Sequence, residues 1–172
     1  MAVDNTKELF VFLLSDLRRG AERTTKIFQE IGKLAEDPDI KRALEARVFA
    51  SNKILTTLDG IFKLIGVTPA ATSGGPHEVF VEDFRREFAE IQSPEARRHF
   101  ILAKASHLLH FRIGEHAALI SAADVSGHYG LGALLESSLA NQEAGGGRQK
   151  AGLTGIRRQE SAGRSQSQCA PA

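Results

Sequence analysis

Much of the usual chemical equipment is missing from this 172-residue chain. Its one cysteine, Cys169, stands near the C-terminal end with no second thiol to join, which excludes an internal disulfide framework and a cysteine-built metal site. No apolar run approaches the roughly 18 residues that a membrane-spanning helix requires. The opening residues, Met1-Ala2-Val3-Asp4-Asn5, lack a basic segment leading into an apolar core, so no secretory signal is read and the expected address is cytoplasmic. Thr72-Ser73-Gly74-Gly75-Pro76 carries two glycines but no following Lys-Ser or Lys-Thr, so it is a linker and not a phosphate loop. No nucleophile elbow occurs, and Ser106 directly precedes His107, an arrangement in which helical side chains do not face each other. No glutamate has a histidine three residues on, so the Glu-x-x-His element by which helical bundles hold paired metals is absent.

What is present is helical periodicity. Apolar residues make up 42% of the chain and charged residues 25%, enough for one domain with a sizeable core. Asn5 with Glu8 at the third helical position forms a variant capping box, after which Phe10, Leu13, Leu14, Leu17, Ala21, Thr24, Ile27, Phe28, Ile31 and Leu34 line one face. Asp37-Pro38-Asp39 then caps and restarts a second helix. Its seam is read through Leu44, Val48, Ser51, Leu55, Leu58, Phe62 and Ile65, with Gly66 as a left-handed stop. A crossover rich in Gly and Pro holds a short helix over 78–92 with Phe80, Phe84, Phe88 and Ile91 inward. Ser93-Pro94-Glu95 opens a third long helix to about Asp124, with Phe100, Ala103, Leu108, Phe111, Leu119 and Ile120 as core candidates. A last amphipathic segment carries Leu131, Leu134, Leu135 and Leu139. The expected architecture is therefore all-α: a ferritin-like antiparallel four-helix bundle over 1–144, with a short extra helix in the crossover connection.

Residues 145–172 change character. Arg148, Lys150, Arg157, Arg158 and Arg164 face only Glu160 there, among many Gly, Ser and Gln, and the segment reads as a disordered basic tail. Such a tail is also the one feature through which nucleic acid or another polyanion would be held. The doublets Arg18-Arg19, Arg85-Arg86 and Arg97-Arg98 form either solvated faces with local ion pairs or, if gathered in space, a shared basic surface.

Glu8-Leu9-Phe10 leading to Ser15-Asp16-Leu17, the Asp37-Pro38 junction, Leu58 through Phe62-Lys63-Leu64-Ile65-Gly66, Glu115-His116, and Leu134-Leu135-Glu136 with Leu139-Ala140 occur in an order and spacing that resembles the bacterial YciE/YciF-like family of ferritin-like proteins. The resemblance covers roughly residues 5–144 and implies the bundle fold and a link to stress responses. It also implies interior carboxylates and histidines holding two metals. Laid on that pattern, the expected ligand positions are occupied by Ala21, Arg47, Ala50, Ala118 and Asn141, while Glu115 and His116 keep the family's leading pair. Arg47 either points inward, where it would pair with a carboxylate such as Glu115, or snorkels along the helix surface.

The preferred expectation is a non-catalytic bundle without a dinuclear site or other cofactor, acting through a protein partner or a second copy of itself. Two other classes remain. The first is a ferritin-like oxidase or iron-handling protein that holds iron or another divalent metal in a rearranged site drawn from Glu22, Glu45, His110, Glu115 and His116. The second is polyanion binding through the basic tail. Among the third long helix's histidines, His107 and His110 are helix-surface neighbours, as Glu115 is of His116 in sequence, but no second helix offers a matching pair.

Overall fold

The computed structural model describes residues 3–72 and 75–140. It contains α1 (Thr6–Leu34), α2 (Pro38–Ile65), α3 (Gly75–Glu90), α4 (Pro94–Val125) and a further helical stretch over 129–140, with no strand among the described residues. Asn141 and the tail over 145–172 lie outside the described residues.

The helix ends follow from their local sequences. Asn5 accepts from the Glu8 amide at 2.9 Å, and the Glu8 carboxylate accepts in return from the Asp4 amide at 2.8 Å. Asp37 accepts from the amides of Asp39 and Ile40, with Pro38 at the first helical position where no donor is needed. Gly66 closes α2 at φ 67°, a left-handed conformation that only a residue without Cβ adopts at little cost. Ser93 caps α4 through the Ala96 amide at 3.3 Å.

The core falls into two apolar clusters, and these give the helix directions. Phe10, Leu14 and Leu17 of α1, Ile54, Leu58 and Ile61 of α2, Leu119 and Ala123 of α4, and Leu135 meet at one end. Ile27, Phe28 and Ile31 of α1 meet Ile40 and Leu44 of α2, Phe84 of α3, and Ile101, Leu102, Ala105 and Leu108 of α4 at the other. Thus α1 runs from the first cluster to the second, whereas α2 and α4 run from the second to the first. The bundle is antiparallel, with α3 serving the second cluster and 129–140 the first. Rings of Phe84, Phe88 and Phe100 pack with centroids 5.5–6.2 Å apart and hold α3 to α4.

Ion pairs complete the docking of α3: Arg23 to Glu78 at 2.6 Å, Arg85 to Glu30 at 2.8 Å, and Lys104 to Glu87 at 2.5 Å. Ser15 ties down the preceding crossover, its Oγ accepting from the Ala70 amide at 2.9 Å and donating to the Val11 carbonyl.

Two seams differ from the sequence reading. In α2 the buried row is Ile40, Leu44, Arg47, Ser51, Ile54, Leu58 and Ile61, so Val48, Leu55 and Ile65 are only half-buried. In α4 it is Ile101, Ala105, Leu108, Arg112, His116, Leu119 and Ala123, which leaves Ala103 and Phe111 exposed. Leu34 and Leu134 are exposed as well, each at the margin of its helix's buried face.

Candidate functional site

Between the apolar clusters lies a polar belt. Each long helix keeps its three-and-four spacing through the middle of the bundle but places polar residues there: Thr24 on α1, Arg47 and Ser51 on α2, and Arg112 and His116 on α4. His77, in the first turn of α3, is buried beside them.

Arg112 is the centre of this belt, only 3% exposed. Its Nη1 donates to Glu115 Oε2 at 2.5 Å, and its Nη2 donates to the Leu17 carbonyl of α1 at 3.0 Å. Room for the guanidinium comes from Gly20, where an added Cβ would collide with Arg112 Nη1 and lie 2.8 Å from His77 Cε1. Glycine at position 20 thus leaves the space that Arg112 and His77 fill.

The two buried histidines carry an unsatisfied nitrogen each. His116, 0% exposed, sits 3.3 Å through Nδ1 from the Arg112 carbonyl; Nδ1 must be the donor there, which leaves Nε2 as an acceptor without a partner. His77 meets the Phe111 ring edge-on at 5.3 Å, and its Nε2 likewise has no partner. Burial pushes both imidazoles down to about 4, with the Arg112 charge adding to the effect and Arg23 contributing at His77. Both are neutral at ordinary pH. Burial also lowers the Arg112 guanidinium, opposed by Glu115, and raises the Glu115 carboxyl, opposed by Arg112. Arg47 is 7% exposed, and burial lowers its guanidinium too.

A narrow cavity opens inside the belt, lined by Ala21, Thr24 and Phe28 of α1, Arg47, Ala50, Ser51 and Ile54 of α2, and Leu109 and Arg112 of α4. Three of the positions singled out by the family resemblance, Ala21, Arg47 and Ala50, thus surround one space. Arg47 points inward, and the surface-snorkelling alternative does not hold. The Glu115 carboxylate is met by Arg112, which lies one helical turn before it.

Other candidates fall elsewhere. Ala118 is exposed, since it lies two residues beyond the fully buried His116, about 200° around the helix. Of the rearranged metal set, only Glu115 and His116 enter the interior. Glu22 is exposed between Arg18 and Lys26, Glu45 is exposed on α2, and His110 is exposed with Nδ1 2.8 Å from the Ser106 carbonyl. These three lie on outward faces, so the five cannot converge. His99 and His107 are exposed too. Among the described residues, no group of three or more His, Cys, Asp or Glu is placed to hold a metal ion. In the arginine doublets, Arg18 pairs with Asp59, Arg85 with Glu30, Arg86 with Asp83 and Arg98 with Asp37.

Sequence reasoning missed Arg112 and His77. A signal for Arg112 existed, because the row 101–105–108–112–116–119–123 is a regular apolar repeat with an arginine at its centre. The corresponding row in α2, 40–44–47–51–54–58–61, has Arg47 at its third position. Arg47 and Ala50, like Arg112 and Glu115, stand at the i, i+3 step by which metal-bearing bundles present Glu-x-x-His on two helices.

Fold and interior together define a ferritin-like helical bundle with guanidiniums at its centre. The chain belongs to the family described as domain of unknown function DUF892, whose model matches residues 5–162. None of the curated proteins compared matches it. Among solved structures it is similar to YcfI, a putative structural protein from Rhodopseudomonas palustris, at TM-score 0.80 and 20% identity over 86% of this chain and 94% of that one. It is also similar to the E. coli stress protein YciF, at TM-score 0.78 and 17% identity over 87% and 94% of the two chains. A protein from Xanthomonas campestris matches at TM-score 0.65 and 15% identity, over 91% of this chain and 99% of that one. These likenesses agree with the YciE/YciF-like resemblance and establish the fold. No helix among the described residues is long and apolar enough to cross a membrane.

Proposed function

We propose that this chain is a ferritin-like scaffold without a dinuclear metal centre, acting through contacts with other proteins and not through catalysis. The observation that carries the reading is the burial of Arg47 and Arg112 around one cavity, together with Ala21 and Ala50. A pair of divalent ions needs several anionic oxygens and imidazole nitrogens converging at about 2.0–2.3 Å. Alanine offers no donor atom, and a guanidinium has no lone pair to give. At a separation of ~5 Å, with an effective dielectric constant near 20, a divalent cation and a guanidinium repel by roughly 7 kcal/mol. Two arginines in one lining therefore oppose metal entry strongly, and Glu115 is already committed to Arg112.

The setting in which such a scaffold works is proposed from the likeness to a protein described as a stress protein. Metal analysis of protein purified without chelators, followed by thermal melts with added Fe(II), Mn(II) and Zn(II), tests the central claim. The expected outcome is well under one metal per chain and unchanged melting temperatures. About two metals per chain, the stoichiometry of a dinuclear site, would overturn it.

A further inference from the structure

We propose that residues 141–160 of this same chain continue the helix over 129–140 and lie in the groove between α2 and α4, completing the fourth helix of the bundle in place of a free basic tail. Whether the interior holds a metal does not enter.

The groove is left by the packing of the long helices. α2 and α4 each pack on α1 and scarcely on each other. The helix over 129–140 fills the space between them only beside the first apolar cluster, through Leu131 and Leu135. Beside the second cluster, α3 covers α4 from the opposite flank, where Phe100 and Lys104 meet it. The cavity walled by Ala50 and Ile54 of α2 and Leu109 of α4 lies along the uncovered side and is mainly apolar. On α4, Ile120 packs against the first cluster, and Ile113, Leu109 and Leu102 follow it on the same side of the helix. Ile113 and Leu109 are only half-buried. Across from them α2 carries Ala43 and Ala50, small side chains that let a neighbouring helix come close.

The chain beyond Ala140 fits this groove in length, register and composition. The turn over 126–128 reverses the chain, so residues about equally distant from Gly127 stand side by side, as Leu135 and Leu119 do in the first cluster. A helix from 129 to 160 equals the 32 residues of α4 and ends beside its first turn. The family's model, matched as far as residue 162, ends there as well. From Leu135, steps of four and three give Leu139, Gln142, Gly146, Gln149, Leu153 and Ile156, a row without a charge. Leu153 falls about five turns after Leu135 and comes level with Ile101 and Leu102. Gly146 comes level with Leu108 and adds no side chain beside the buried Arg47 and Arg112. Arg157 and Arg158 reach the first turn of α4, where Glu95 is exposed. Gly145-Gly146-Gly147 disfavours a helix standing alone, so the groove and not local propensity holds the segment.

Hydrogen exchange on the full-length protein tests the placement without any substitution. Amides over 142–156 should exchange roughly a hundredfold more slowly than in the unfolded chain, and unfolded-chain rates there would overturn the proposal. Cross-linking tests the register. In a Cys169→Ser background, Ser106→Cys with Gln149→Cys should form a disulfide within one chain, because the two positions come about level across the groove. Ala103→Cys, on the exposed face of α4, should not do so with the same Gln149→Cys. Equal cross-linking of the two pairs, none in either, or a disulfide found only between chains, as from a second copy's segment, would each count against it. Gly145→Ala and Gly147→Ala, both off the facing row, should each raise the melting temperature by about 2–4 °C by favouring the docked helix. Unchanged melts in both variants would show a segment that is not helical in the folded protein.

Discussion

Acidification should unfold this protein through its two interior histidines before most carboxylates are protonated. An unfolded imidazole titrates near 6.5, whereas His77 and His116 are held at about 4 in the fold, by burial first and by the Arg112 charge second. Between those values the unfolded chain binds more protons than the native one, so stability is fully present above pH 6.5 and is lost as the pH falls towards 4. Each histidine accounts for roughly 3 kcal/mol over that window. The pair contributes less than twice that, because both respond to the same guanidinium. Glu115 works the other way: burial raises its carboxyl, so the native state also takes up a proton there and the net slope is reduced. Urea unfolding followed by circular dichroism at pH 7, 6, 5 and 4 would measure the loss, with His116→Gln alongside the wild type. The glutamine variant should lose up to about 1.4 kcal/mol less for each pH unit, the worth of one proton. Parallel pH dependences for the two proteins would refute the reasoning, as would an NMR titration placing either buried imidazole near 6.5.

Other substitutions probe the same belt and its supports. Gly20→Ala should destabilise by ~1–3 kcal/mol in denaturant unfolding, because the new Cβ meets Arg112 and His77 in a packed interior. A gain in stability, as helix propensity alone would give, would show that Arg112 can move aside. Ser15→Ala should cost about 1 kcal/mol by removing the hydroxyl that accepts from the Ala70 amide. Hydrogen exchange at Ala70 should then accelerate more than exchange along α1, and equal protection in both proteins would contradict that tie.

The helices were legible because their signals are local. Asn5, Asp37-Pro38 and Ser93-Pro94 start helices through bonds made within one turn, and Gly66 ends one through its own backbone. The face of α1 was legible for the same reason: its buried row runs from Phe10 to Ile31 with no charged residue in it. In α2 and α4 the apolar residues outnumber a single stripe, so two adjacent rows compete. Reading by hydrophobicity chose Val48 and Leu55 over Arg47 and Ile54, and Phe111 over Arg112. The true rows contain arginines that an apolar pattern rejects.

Sequence alone therefore determined which segments are helical, the capped helix ends, the fold class and the absence of Glu-x-x-His, since each depends on residues within a few positions of one another; the uncapped crossover helix, read as 78–92, runs instead over Gly75–Glu90. Tertiary structure decided which row of α2 and α4 faces inward. It also decided that Glu115 meets Arg112, and that Gly20 makes space for a guanidinium from a helix some 90 residues away in sequence. These outcomes turn on rotations of about 100° per residue around each helix and on side-chain distances of a few ångströms between helices. Composition and spacing do not encode such quantities; packing resolves them once three helices share one interior.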